Sequence, residues 1–235
     1  MNRCRMHLIL VCLVFLAAVP AYCQRGTFGV DIGETTDKFG SVPSDSGLEA
    51  DIDGQITVLK PSKKHEGGPS IVAGGEVRLP TDTSNHAREF AVYGGFEFKF
   101  HNNLTIGVDG QVRKIYLPPS TVDNQVFVRD KMETVEIPLL VRYAFGTSRR
   151  AYVQVQGAPE FSPRWRSAGS LVDLPNPNFD HGYSLRGTAG YDFGRWYAKA
   201  TYETRYFKFI ENAGNPSNLY NWKSNLISGG VGVVF

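Results

Sequence analysis

Four histidines lie downstream of residue 23, at His65, His86, His101 and His181. Two of them have neighbours that could support acid–base chemistry. Asp82, Ser84 and His86 share one polar segment, and Asp180 directly precedes His181. A hydrolase or acyltransferase would use such a histidine as a base oriented by a carboxylate. Neither set matches a specific hydrolase motif, and turn segments are ordinarily rich in Asp, Ser and Asn. No His, Cys, Asp and Glu spacing repeats in the manner of a metal site. Catalytic, cofactor and metal residues are therefore assigned as none, and a lipid-modifying or proteolytic enzyme is the third of three functional readings.

A larger set of charges follows a simple rule. Glu97 and Lys99, Asp109 and Arg113, Glu136 and Arg142, Arg186 and Asp192, and Lys199, Glu203 and Arg205 sit at even spacings. In each segment the other parity is mainly apolar. Glu49, Asp51, Asp53, Glu76, Arg78 and Glu160 behave likewise. A period of two means a strand with two unlike faces. The clearest case is 88–100, where Phe90, Val92, Gly94, Phe96, Phe98 and Phe100 oppose Glu89, Glu97 and Lys99.

The same pattern predicts strands at 27–33, 48–60, 67–79, 104–116, 131–145, 151–162, 181–193, 196–209 and in the last stretch, 220–235. Pro138 falls inside one of them, costs a ladder bond and predicts a bulge. The connections 61–66, 101–103, 146–150 and 194–195 are short, whereas 34–47, 80–87, 117–130, 163–181 and 210–221 are long. Strict alternation of short and long connections predicts an all-β, up-and-down antiparallel barrel. Ten strands are expected, or eight if the first hairpin is left out. Period-two alternation alone also fits a soluble lipocalin-like barrel. Strands of 12 residues or more and aromatics at both strand ends favour a transmembrane barrel. One expected aromatic band holds Phe98, Phe100, Tyr143, Phe145, Tyr191, Phe193, Trp196 and Phe235. The other holds Tyr116, Phe127, Phe161, Trp165, Tyr206 and Trp222.

In a membrane the charged face must point inward, since a lipid-facing Lys or Arg at mid-bilayer costs about 2–4 kcal/mol. Both signs are similarly frequent, so the lumen is expected to be charge-paired and largely closed. A narrow porin-like channel for small solutes or ions is the alternative. Arg164 and Arg166, flanking Trp165, are candidate contacts for lipopolysaccharide phosphates.

Residues 1–23 read as a signal peptide, with Arg3 and Arg5 before an apolar run at 8–19 and a small-x-small site at Ala21-Tyr22-Cys23. All three cysteines lie in this segment. The barrel domain is thus 24–235. Removing Arg3 and Arg5 lowers Lys+Arg from 25 to 23, which equals Asp+Glu and gives no reason to expect nucleic acid.

The segment E-I-P-L-L-V-R-Y at 136–143 and the terminal G-V-G-V-V-F resemble the small bacterial outer-membrane β-barrel family, the OmpA-like and porin-like barrel domains. That resemblance implies a cell outer-membrane location of Gram-negative type, surrounded by outer-membrane lipids and lipopolysaccharide. It also implies passage past periplasmic chaperones and insertion by the barrel-assembly machinery. Phe235, with Val233, Val231 and Ile227 on its face, is similar to the terminal-aromatic signal which that machinery recognises. The same strand is expected to close the barrel against the first one, near Phe28. No periplasmic domain is expected, and the implied role is a non-enzymatic envelope or surface protein.

Overall fold

The computed structural model describes residues 25–40, 43–59, 67–82, 86–100, 103–116, 120–122, 125–127, 131–146, 150–166, 178–210 and 221–235. The signal peptide lies outside the described residues. Thirteen strands occur: β1 (Arg25–Phe39), β2 (Asp45–Leu59), β3 (Gly68–Pro80), β4 (Arg88–Lys99), β5 (Leu104–Tyr116), β6 (Ser120–Val122), β7 (Gln125–Phe127), β8 (Lys131–Glu136), β9 (Leu139–Phe145), β10 (Ala151–Arg166), β11 (Asn178–Asp192), β12 (Trp196–Ile210) and β13 (Trp222–Val234). β6 and β7 form a small hairpin of their own within the connection from β5 to β8. The remaining strands make one antiparallel ladder that returns on itself, with β8 and β9 acting as two halves of a single stave. The result is a closed barrel of ten staves.

Closure is made by β1 and β13, paired from Thr27↔Val234 to Phe39↔Trp222. The last residue continues the seam, as Gly26 N donates to Phe235 O at 2.7 Å and Phe235 N to Gly26 O at 3.0 Å. The Phe235 ring lies where a Cβ on residue 26 would sit, so a larger residue there would have to displace the terminal ring.

Three expectations need correction. β1 runs to Phe39 instead of stopping at Gly33, so only residues 40–44 separate it from β2. Polar residues 34–38 resemble a turn by composition, yet Thr35 and Asp37 face inward and are buried, and a polar lumen accepts them. The connections at that end remain the longer ones as a group, but 60–67 at the opposite end is longer than 40–44, so alternation is not strict. The third correction concerns Pro138. β8 ends at Glu136 and β9 starts at Leu139, but the register is unchanged across the break, with Glu160↔Glu136 and Gly157↔Leu139. Ile137 lies opposite Pro159 and Pro138 opposite Ala158, so each strand lacks one N–H and ladder bonds are lost without a bulge at Pro138. The Pro138 carbonyl still accepts from Asp109 N at 3.0 Å.

The outward face is apolar through the middle. Ile32, Val92, Phe96, Leu139, Ile227 and Val231 are each about 60% exposed or more. From Phe235 to Ile227 the stripe is eight residues long, about 20 Å of membrane thickness at a rise of ~3.3 Å and a tilt of ~40°. At the short-turn end, ring pairs Phe98–Phe100, Tyr143–Phe145 and Tyr191–Phe193 lie 4.7, 5.1 and 4.8 Å apart, joined by exposed Trp196 and Phe235. This is an interfacial aromatic belt. The turn beneath it is tight because Gly194 adopts φ +103° and its N–H donates to Asp192 Oδ1 at 2.6 Å. At the long-loop end Tyr116, Phe161 and Tyr206 also lie on the outward parity. Trp222 does not; it is 1% exposed and points into the lumen. The Phe127 and Trp165 side chains lie outside the described residues.

Candidate functional site

The inward face of the ten staves carries three layers. Nearest the long loops is an apolar lid. Phe39, Trp222 and Phe207 stack, with ring centroids 6.1 and 5.6 Å apart and interplanar angles of 5° and 7°. Ile115, Met132 and Phe209 pack with them, fully buried. Phe179 joins because the β11–β12 register slips between Phe179 and His181, which turns that ring inward. Trp222 Nε1 donates to Asp37 Oδ1 at 3.0 Å, and His86 Nδ1 lies 3.1 Å from Asp37 Oδ2. His86 thus descends from the connection between β3 and β4 into the barrel mouth. Its hydrogen bond to the Asp37 carboxylate holds the imidazole above its ordinary pKa range.

Below the lid lies a plug of charges. Arg78 (β3) grips Glu203 (β12) with both terminal nitrogens, at 2.9 and 2.6 Å. Arg186 (β11) donates to Glu203 at 2.5 Å and to Glu76 (β3) at 2.7 Å. Arg113 (β5) reaches Glu136 (β8) at 2.8 Å, Glu89 (β4) at 2.6 Å and Glu76 at 3.5 Å. Arg205 (β12) binds Glu89, and Glu203 at 2.9 Å. Glu203 and Glu76 are therefore each shared by three arginines. Bidentate, charge-assisted bonds of this kind are the strong ones. Arg78–Glu203, Arg186–Glu76 and Arg205–Glu89 join residues more than a hundred positions apart in sequence.

Pairing within the plug is uneven. Glu49, Asp51 and Glu160 are also buried there, so seven carboxylates surround four guanidinium groups. Glu49 Oε1, Asp51 Oδ1 and Glu160 Oε1 lack hydrogen-bond partners.

The third layer, toward the short turns, is a vestibule of about 180 Å³. Nearly every stave contributes to its wall, including Glu97, Asp109, Arg142, Lys199 and Tyr197. Lys199 Nζ bridges Asp31 at 3.0 Å and Asp53 at 2.5 Å. Arg142 lies 3.8 Å above the Tyr152 ring. Arg25 approaches Asp192 at 3.4 Å near the mouth.

The eleven charges placed in the lumen by parity thus divide by height. Arg113, Glu136, Arg186, Glu203 and Arg205 are in the plug. Glu97, Asp109, Arg142, Asp192 and Lys199 line the vestibule, and Lys99 is exposed at its mouth. Ile227, Val231, Val233 and Phe235 share the outward face of β13 and its terminus. The side chains of Arg164 and Arg166 lie outside the described residues. His181 is exposed on the outer rim, 3.2 Å from Asp180. Phe39 and Phe207 share the parity of an inward charge on their own strands, and Trp222, expected in the outer band, shares the inward parity of buried Ser224 and Ser228. The contact between Asp37 and His86 was not legible, because it joins a strand to a connection. Among the described residues no cluster of His, Cys, Asp or Glu is arranged to hold a metal ion.

The closed ladder, apolar belt and polar interior are decisive. The chain is a transmembrane β-barrel of the outer-membrane type. No model of a known protein family matches the chain, and no curated protein matches it in sequence. Solved structures similar to it include the outer-membrane protease OmpT from Escherichia coli, 12% identical, covering 90% of this chain and 97% of that one with a TM-score of 0.44. Neisserial surface protein A is 10% identical, covering 88% and 96%, with a TM-score of 0.38. The KdgM porin is 13% identical, covering 87% and 99%, also with a TM-score of 0.38.

Proposed function

We propose that this barrel resides in the outer membrane as a non-enzymatic envelope protein whose interior braces the wall and does not conduct. The observation that carries this reading is the plug of four arginines and seven carboxylates beneath a stacked aromatic lid. An ion entering from the long-loop side would have to displace both. Closed ladders need every backbone polar group satisfied within the protein, and the cross-lumen bonds add a second set of ties between opposite staves. His86, the best-placed base in the primary structure, is 2% exposed and engaged by Asp37, which supports a structural part for it at the lid. External contacts then fall to the outer rim and the longer connections, and lipopolysaccharide at Arg164 and Arg166 remains part of this reading.

The test is conductance in planar bilayers. The wild-type barrel is expected to give no steady ohmic current. Arg78→Ala combined with Glu203→Ala, checked for folding by heat-modifiable migration, is expected to give measurable openings. Steady current through the wild type, altered by Glu136→Ala, would instead establish the narrow channel.

A further inference from the structure

The vestibule holds a charge imbalance that its own walls do not resolve. Lys199 is committed to Asp31 and Asp53, Arg25 pairs with Asp192, and Arg142, the remaining vestibule cation, lies over the Tyr152 ring and makes no ion pair within 4 Å among the described residues. Two carboxylates on adjacent strands are left: Glu97 on β4 and Asp109 on β5. Asp109 is only 7% exposed, lines the cavity, and its Oδ1 has no hydrogen-bond partner. Glu97 accepts one bond, from Gln55 Nε2 at 3.1 Å. Among the described residues no cation stands within ion-pair distance of either. Buried carboxylates are ordinarily satisfied by donors, so this pair is a binding surface for a donor from outside the chain.

We infer that the vestibule binds small organic amines, with Asp109 and Glu97 receiving the primary ammonium group. An ammonium supplies up to three donors from a single compact charge, which suits two neighbouring carboxylates inside a small cavity. Tyr93 and Tyr197 line the same space and offer hydroxyls together with rings of the kind that attract cations. Among the described residues no third His, Cys, Asp or Glu joins the pair to make a metal-binding group. Access is from the short-turn end only, since the plug forms the floor. In that one respect the inference rests on the closed lumen proposed above.

The experiment is titration calorimetry of the full refolded chain in zwitterionic detergent with putrescine. Saturable binding is expected, weakened tenfold or more by Asp109→Asn and by Glu97→Gln, and unchanged by Glu133→Gln on the outer face. Heat-modifiable migration verifies that each variant is folded, and the Glu97 variant serves if the Asp109 variant is not. Absence of saturable binding overturns the inference. So does binding that the carboxamide variants leave intact, or binding abolished equally by potassium chloride of matched ionic strength. Bilayer conductance separates the two readings: an open pore that still binds putrescine would sink only the closed lumen, and a closed pore that does not bind would sink only the amine site.

Discussion

The lid-and-plug half of the lumen and the vestibule half are built from the same ten staves, and β12 passes through both. Its inward residues, from the short turns upward, are Tyr197, Lys199, Thr201, Glu203, Arg205, Phe207 and Phe209. The lower ones face a cavity, the middle ones interlock, and the upper ones stack out of reach of solvent. In the plug each guanidinium hydrogen-bonds at least two carboxylates. In the vestibule pairing is local: Asp109 has an unpartnered Oδ1 and no cation within ion-pair distance among the described residues, whereas Glu49, Asp51 and Glu160, which also carry an unpartnered oxygen, each face an arginine within 4 Å. Parity selects the face; height along the stave decides whether a charge is structural or available. One interior can therefore brace the wall at one end and leave recognition groups unclaimed at the other.

Three measurements bear on that contrast. Glu203→Ala removes an acceptor shared by Arg78, Arg186 and Arg205, and should lower the unfolding free energy by about 4 kcal/mol in urea titrations of micelle-refolded protein. A loss below about 1 kcal/mol would mean that the plug arginines find other partners and that the two halves are equally loose. At the lid, the raised pKa of His86 makes stability fall with rising pH. The contribution is complete below the unfolded value of about 6.5 and is lost as pH climbs through the higher folded value. Its size is about 1.5 kcal/mol, that of a charge-assisted hydrogen bond. His86→Gln should flatten the stability profile from pH 6 upward, and an unchanged slope would remove this histidine from the account. The smallest effect has the opposite sign: Asp109→Asn should stabilise the barrel by about 1 kcal/mol by removing an unpaired buried charge. Destabilisation by that change would mean that the carboxylate has a structural partner, and the two halves would then not differ in kind.

Much of this architecture was legible in the primary structure. Even-spaced charges such as Glu203 and Arg205 fixed the inward parity of their strand, and the two-residue connection at Gly194-Arg195 marked a hairpin. The resulting ten-stave count holds. Three things were not legible, each for a physical reason. Residues 34–38 look like a turn because a lumen-facing strand end carries the same polar residues as a loop. The lid was hidden because an aromatic at a strand end suggests a lipid interface, whereas Trp222 satisfies its N–H inside, on Asp37. The plug bonds join residues far apart in the chain, and alternation along one strand says nothing about what stands across a lumen.

The seam between β1 and β13 has a consequence for how the molecule comes to exist. Until Thr27 meets Val234, the staves form an open sheet in which β3 and β12 stand far apart, and Arg78 cannot touch Glu203. Every cross-lumen bond therefore waits for an event that joins residues about two hundred positions apart, the kind of long-range contact that makes folding slow. The inward charges would meanwhile face water or a helper, since hydrocarbon rejects them. Insertion, curling and neutralisation of the interior are accordingly one step, and a half-made barrel has no stable resting place within the membrane.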